Sequence, residues 1–250
     1  MDGTLTLEIQ NGIANITFGH VRANSLTPEM LADLCGLIEE ADTHPEARVI
    51  VLRSEGTGAF CAGASLEALK KVKTKTQGTD FFMGFAHLIN SLRQCTTFVV
   101  VRVQGKIVGG GIGLVAACDY ALASDQAAIR LSELSIGIGP YVIEPAVSRK
   151  IGKTAFNQLS LDSANWRSAN WALTQGLYAE CHSDLDELEE KTTSLAKRLA
   201  SYDPKALRTL NELHWNDTAH WETLLPKKAA ITGELALSEH CQTILKNIHG

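Results

Sequence analysis

Among the six cysteines there is no C-x-x-C pair, and the eight histidines fall into no H-E-x-x-H or similar spacing. Several of the cysteines stand inside apolar runs. That suits reduced thiols packed as small core residues in a cytosol-like compartment, and it argues against a zinc site or a disulfide framework. Positive charge is in short supply as well. Against 28 Asp and Glu there are 23 Lys and Arg, a net charge of −5, so neither nucleic acid nor an anionic membrane is expected as the main partner. Long apolar runs are missing too: Ile107 to Cys118 is the longest, bounded by Lys106 and Asp119, and a bilayer takes about 20 residues. The opening Met1 to Leu7 carries no basic and apolar leader, so a secretory signal is not expected and a cytoplasmic location is.

Glycine, by contrast, is concentrated where it matters. In Val101 to Asp119 a β-branched run, Phe98 to Val103, reads as a buried strand, and Ile112 to Cys118 reads as a short buried helix, with Gly109, Gly110 and Gly111 between them. Side chains are absent where the backbone turns, so a ligand can approach bare N–H groups at the positive end of a helix. Such a place suits an anion, or an oxygen that becomes one during a reaction. It equally suits a helix that needs glycine to pack tightly on a sheet. A second small-residue turn, Gly56 to Ala64, runs into a helix that Ser65 can cap.

In chain order, two alternating segments, Thr4 to Ile9 and Ile13 to Phe18, flank Asn11-Gly12 and predict an antiparallel hairpin. Thr27-Pro28 opens a helix with an apolar stripe from Met30 to Ala41, stopping before Pro45. Val49 to Leu52 is a buried strand. Asp80 is a candidate cap for a helix on which Phe82, Phe85, Leu88, Ile89 and Leu92 recur at helical spacing; its first turn is placed to wall a pocket. Asp119 to Ala123 and Ala128 to Leu131 read as short strands, residues 132–141 as loop, and helix-forming sequence dominates from Glu144. Segments near 4–42, 49–95 and 98–118 each show strand, strand, helix, which predicts an α/β spiral of repeated ββα units over residues 1–182. Residues 183–250 carry only helices, with apolar stripes at Leu195, Leu199 and at Leu207, Leu210, Leu213, and are expected to cover the active site or a neighbouring subunit.

Gly111-Ile-Gly113-Leu-Val-Ala116, with Glu133 about 20 residues on, imitates a dinucleotide-binding fingerprint. The context fails: residues 104–109 separate the strand from the glycine pair, and Glu133 follows a strand into a loop. The residues instead resemble the enoyl-CoA hydratase/isomerase, or crotonase, superfamily. Ala59-Phe-Cys-Ala-Gly-Ala-Ser-Leu looks like its first signature, with Ser65 where aspartate is usual, and Gln104-Gly-Lys-Ile-Val-Gly-Gly-Gly-Ile-Gly-Leu looks like its second. The likeness runs from the opening hairpin to about Leu177. The loop 134–145 with Gly111 to Leu114 is similar to bacterial methylglutaconyl-CoA hydratase-like members.

That resemblance implies an acyl-CoA thioester whose carbonyl oxygen lies between the N–H groups of Ala64 and Gly110, with no separate cofactor and no metal. Hydratases of the family hold a water between two glutamates; here those positions are Gly113 and Glu133, so one acid is missing. Glu133 is the expected general acid/base, its pKa brought up by burial. By resemblance Ala23, Ala62, Ser65 and Leu66 line the CoA tunnel, Gly109 and Ser132 are counted with the substrate-binding residues, Gly113 leaves room for a bulkier acyl group, and Tyr141 is a candidate substrate contact. Lys70, Lys71, Lys73 and Lys75 read as a solvated face or as a clamp for CoA phosphates. The resulting expectation is an enoyl-CoA hydratase, with an isomerase, a decarboxylase and a silent acyl-CoA binder as alternatives, assembled as a homotrimer or homohexamer. A distal carboxylate on the substrate is one way to replace the missing acid in positioning water.

Overall fold

The structure, a computed structural model, describes residues 3–248; Met1 and Asp2, where the leader-free start is read, and His249 and Gly250 at the end of the helical segment, lie outside the described residues. Strands β1 (Gly3–Gln10) and β2 (Ile13–His20) form the predicted hairpin. Asn11 and Gly12 take φ of 53° and 79°, the left-handed values that an Asn-Gly turn supplies. Helix α1 (Pro28–Thr43) starts on Thr27, whose side chain accepts from the Met30 N–H. After it come β3 (Val49–Ser54), α2 (Leu66–Lys70) and α3 (Lys75–Gln94), then β4 (Val99–Val103), β5 (Ile107–Val108), α4 (Gly110–Ala117), β6 (Tyr120–Ser124) and β7 (Ile129–Arg130). The remainder is α5 (Glu144–Leu161), α6 (Ala169–Thr174), β8 (Glu180–His182), α7 (Leu185–Ser201), α8 (Pro204–Trp215), α9 (Trp221–Ala236) and α10 (Glu239–Asn247).

Six strands pair in the order β1-β2-β3-β4-β6-β8, parallel from β2 onward. Parallel strands need both faces covered, and alternation along them serves two cores. Ile50 and Leu52 of β3, with Val99, Val101 and Val103 of β4, join the main core under α1, α3 and α4. Val49, Val51, Val100 and Leu122 point to the other face, where Leu188 and Ala196 of α7 cover them.

The spiral comes from a second, crosswise ladder. Each turn of chain leaves the main sheet and adds one or two residues to it: Leu26 pairs with Ala64, Cys61 with Ile107, β5 with β7, and Ile129 with Arg167. The predicted ββα repeat is therefore present, with two full strands in its first unit and one- or two-residue second strands in the later ones. Helix α3 begins on Thr74, which forms a capping box with Gln77, rather than on Asp80. A Thr-x-x-Gln box satisfies two end donors at once, and Asp80 lies a turn inside the helix. The three-residue β8 has no counterpart in the predicted elements, since Glu180-Cys-His carries no apolar alternation.

Candidate active site

The crosswise ladder lays residues 61–64 beside β5 and hydrogen-bonds almost every amide there. Phe60 donates to Lys106 O, Ala62 to Ala23 O, Gly63 to Cys61 Sγ and Ser65 to Leu26 O. The Ala64 N–H, between them, donates to no described residue. Gly63 has φ of +82°, and a Cβ on it would stand 2.7 Å from Val108 O and 3.3 Å from Gly110 N, so only glycine permits this approach. On the facing side, Gly109 donates to Arg130 O and turns with φ of 53° into α4. Gly110, first in that helix, has an N–H with no acceptor among the described residues, as helix geometry requires of an uncapped start. The two free amides thus belong to turns in close contact.

Both line a cavity of about 420 Å³. Its walls are largely apolar: Leu66 and Leu69 from α2, Phe82 and Phe85 from α3, and Val142 and Ile143 from the loop before α5. Thr232 of α9 and Ile248 beyond α10 complete it from the far end of the chain. Glu133 enters this enclosure from the turn after β7. Its Oε2 is shut off from solvent and has no hydrogen-bond partner, and its Oε1 lies where a Cβ on Gly109 would come within 3.0 Å. Burial among apolar groups disfavours the ionised form and pushes the carboxyl up to about 7, against a smaller opposing effect of its own backbone amide. A group that titrates near neutrality can both take and give a proton.

The sequence-derived residues divide cleanly. Ala62, Ala64, Leu66, Gly109, Gly110, Ser132, Glu133 and Tyr141 all line the cavity. Ser65 does not; it caps α2 through the Ala68 N–H and faces a wider neighbouring groove of about 770 Å³. Ala23 does not line the cavity either; it is exposed, with φ of 50° and its carbonyl accepting from Ala62. Gly113 offers no spare room, since a Cβ there would overlap Ile143 Cγ2 and the helix has been packed onto that side chain. The lysine cluster is partly tied down: Lys70 Nζ donates to Ile248 O at 2.6 Å, and Lys75 pairs with Glu234 at 2.8 Å. Arg130, Ser135, Thr232 and Ile248 belong to the lining without having been singled out. Arg130 alone left a signal, a charge in the apolar run 127–131.

Among the described residues no group of three or more His, Cys, Asp or Glu could hold a metal ion, and no helix is long and apolar enough to cross a membrane. The chain is 26% identical over 237 residues to a Bacillus subtilis protein named "Probable enoyl-CoA hydratase", covering 94% of this chain and 91% of that one. It is 26% identical over 210 residues to the (E)-benzylidenesuccinyl-CoA hydratase of Thauera aromatica, covering 83% and 80%. The crystal structure of an enoyl-CoA hydratase from Bacillus halodurans superposes with a TM-score of 0.91 over 98% of this chain and 99% of that one, at 21% identity. The model of the enoyl-CoA hydratase/isomerase family matches residues 8–243, nearly the full length, and the chain belongs to that family.

Proposed function

We propose that this protein is an enoyl-CoA hydratase, adding water across the α,β-double bond of an acyl-CoA thioester. The observation that carries the reading is the enclosure of Glu133 in one cavity with the unpartnered amides of Ala64 and Gly110. In this scheme the thioester oxygen lies between the two amides. Ionised Glu133 takes a proton from water as the water oxygen bonds to the β-carbon. The electron pair of the double bond moves onto the thioester oxygen, and the enolate formed there accepts both N–H bonds. Glu133 then returns its proton to the α-carbon, the carbonyl reforms, and the product has gained one water. Donors fixed in advance at a developing oxyanion are worth about 3 to 4 kcal/mol each in barrier height. Because these are backbone groups, their aim depends on Gly63 and Gly109 rather than on any side chain.

A second reading, double-bond isomerisation, is favoured by one specific contact. Ile143 occupies the space beside Gly113. A second carboxylate therefore has no place there, and a lone Glu133 can shuttle a proton between two carbons with no water held. Cys35, Cys61, Cys95, Cys118, Cys181 and Cys241 are all free thiols, which suits the reducing cytoplasm. Residues 183–250 serve as subunit contact and as cover, the second role supported by Thr232 and Ile248 at the cavity.

Incubation with 2-enoyl, 3-enoyl and malonyl-type thioesters, followed by mass and double-bond position, tests the proposal. A product heavier by one water supports the hydratase; an unchanged mass with a moved double bond supports the isomerase; loss of carbon dioxide overturns both. Glu133→Gln should lower kcat by about 10²- to 10⁴-fold, as loss of a positioned acid/base does. A variant as fast as the parent removes Glu133 from the mechanism.

A further inference from the structure

One side chain in the cavity has no role in the chemistry above. Arg130 projects from β7, whose register places it beside Val108, one residue before the Gly109 turn. It lines the cavity, and its Nε is buried with no hydrogen-bond partner. Its guanidinium lies over the Trp166 ring, 4.8 Å from the centroid, and Lys106 Nζ stands 5.1 Å from the same centroid. No Asp or Glu among the described residues forms an ion pair with either cation, whereas Arg22, Arg53, Arg93, Arg102, Arg149 and Arg167 each have one. Glu133 is not its counter-ion either: burial dominates the titration of that carboxyl, and no cation contributes. Stacking on tryptophan holds a guanidinium in one orientation without neutralising it. A partly desolvated arginine beside an apolar enclosure, held in place and left without an anion, is arranged for an anion that arrives from outside.

We propose that Arg130 is the receptor for a carboxylate at the far end of the acyl group, so that the thioesters this cavity selects are those of dicarboxylic acids. The proposal rests on the reading of the cavity as the acyl-CoA site. The walls support a carboxylate on the acyl chain: apart from Arg130 and Glu133 the lining carries no charged side chain, so an acyl group ending in a carboxylate has one cation to meet and one acid to avoid. Lys106 on the same ring adds to the positive potential at that end. The phosphates of CoA are the other source of negative charge, and the test separates the two.

Glutaryl-CoA and pentanoyl-CoA have acyl chains of equal length and no double bond, so their binding to the full chain is read without turnover. By isothermal titration the parent should bind glutaryl-CoA more tightly by about 10- to 100-fold, the range of a hydrogen bond to a charged group. In Arg130→Met that ratio should fall to near one, and in Arg130→Lys it should be intermediate, since the charge survives and the planar fork does not. Thermal melts of both variants check that they are folded, and the parent's ratio is informative even if they are not. A parent ratio near one overturns the proposal. So does a loss in Arg130→Met that is equal for both thioesters and disappears with their 3′-dephospho forms, because Arg130 then holds a CoA phosphate. If the ratio follows Arg130 but no enoyl thioester is turned over, the hydratase reading fails and the receptor stands. If enoyl thioesters turn over and the ratio is one, the reverse holds.

Discussion

An ionised Glu133 has its charge in an enclosure walled by apolar side chains such as Phe85, Val142 and Ile143, and no cation shares the cost. The folded protein therefore binds the proton more tightly than the unfolded chain does. The stability this contributes is complete below pH 4.5, the ordinary value, and is lost as pH rises through about 7. Across that window the loss approaches roughly 3 kcal/mol, an order-of-magnitude figure from 1.36 kcal/mol per pKa unit. Glu133→Gln removes the titrating group. Relative to the parent it should gain stability from pH 5 to pH 8 in urea titrations, even as it loses activity; parallel stability-versus-pH curves would mean that the carboxyl is solvated. This residue was legible through the motif spacing that carries the family resemblance, and burial supplies the physics. Gly113 shows the limit at the same scale. A missing side chain in a sequence says nothing about what fills the space, and here Ile143, thirty positions away, does so. Arg130 was visible as a charge in an apolar run, but its lack of an anion is a property of the surroundings and not of the run.

Between elements, helices α3 and α9 meet at Gly78 and Gly233 with their backbones in contact. A Cβ on Gly78 would lie 2.6 Å from Gly233 O, and one on Gly233 would lie 2.5 Å from Gly78 C. Residues next to the pair line the cavity: Phe82 and Phe85 follow one glycine and Thr232 precedes the other. Gly233→Ala should cost about 1 to 3 kcal/mol by overpacking. It should lower the urea midpoint at an unchanged m-value and raise KM more than it lowers kcat. Gly36, inside α1, is open by comparison: a Cβ on it would meet nothing within 4 Å, and Gly36→Ala should instead stabilise by up to about 1 kcal/mol through helix propensity. If both substitutions destabilise alike, the backbone contact is not what distinguishes Gly233. Local signals read this scale unevenly. Thr27, Ser65 and the Asn-Gly turn announce themselves by chemistry, so α1, α2 and the hairpin fall where expected. Strands β5 and β7 hold two residues each, too few for any period to show, and the crosswise ladder that aims the Ala64 and Gly110 amides had to be inferred from the repeat.

For the molecule as a whole, the all-helical tail after residue 182 was plain in the sequence, but where each helix goes was not, because an apolar stripe says that a face is covered and not what covers it. Helix α7 seals the back of the sheet, and α9 packs on α3. Helix α8 breaks the pattern. Of its stripe, Leu207 is buried, while Leu210 and Leu213 are 44% and 62% exposed. Two leucines three residues apart share one helix face, and single exposed leucines are ordinary whereas a shared apolar face calls for a partner. A second copy of the chain is the partner expected from the trimer or hexamer reading. Light scattering coupled to size exclusion should then give three or six times 27.0 kDa for the parent. Leu213→Asp, at an exposed position, should change the stability of the folded subunit by no more than about 0.5 kcal/mol. It should nevertheless shift the mass toward 27.0 kDa at low micromolar concentration. A parent that elutes as a monomer, or an oligomer indifferent to this substitution, would leave the α8 face to some other contact and would separate the tail's role at the cavity from any role between subunits.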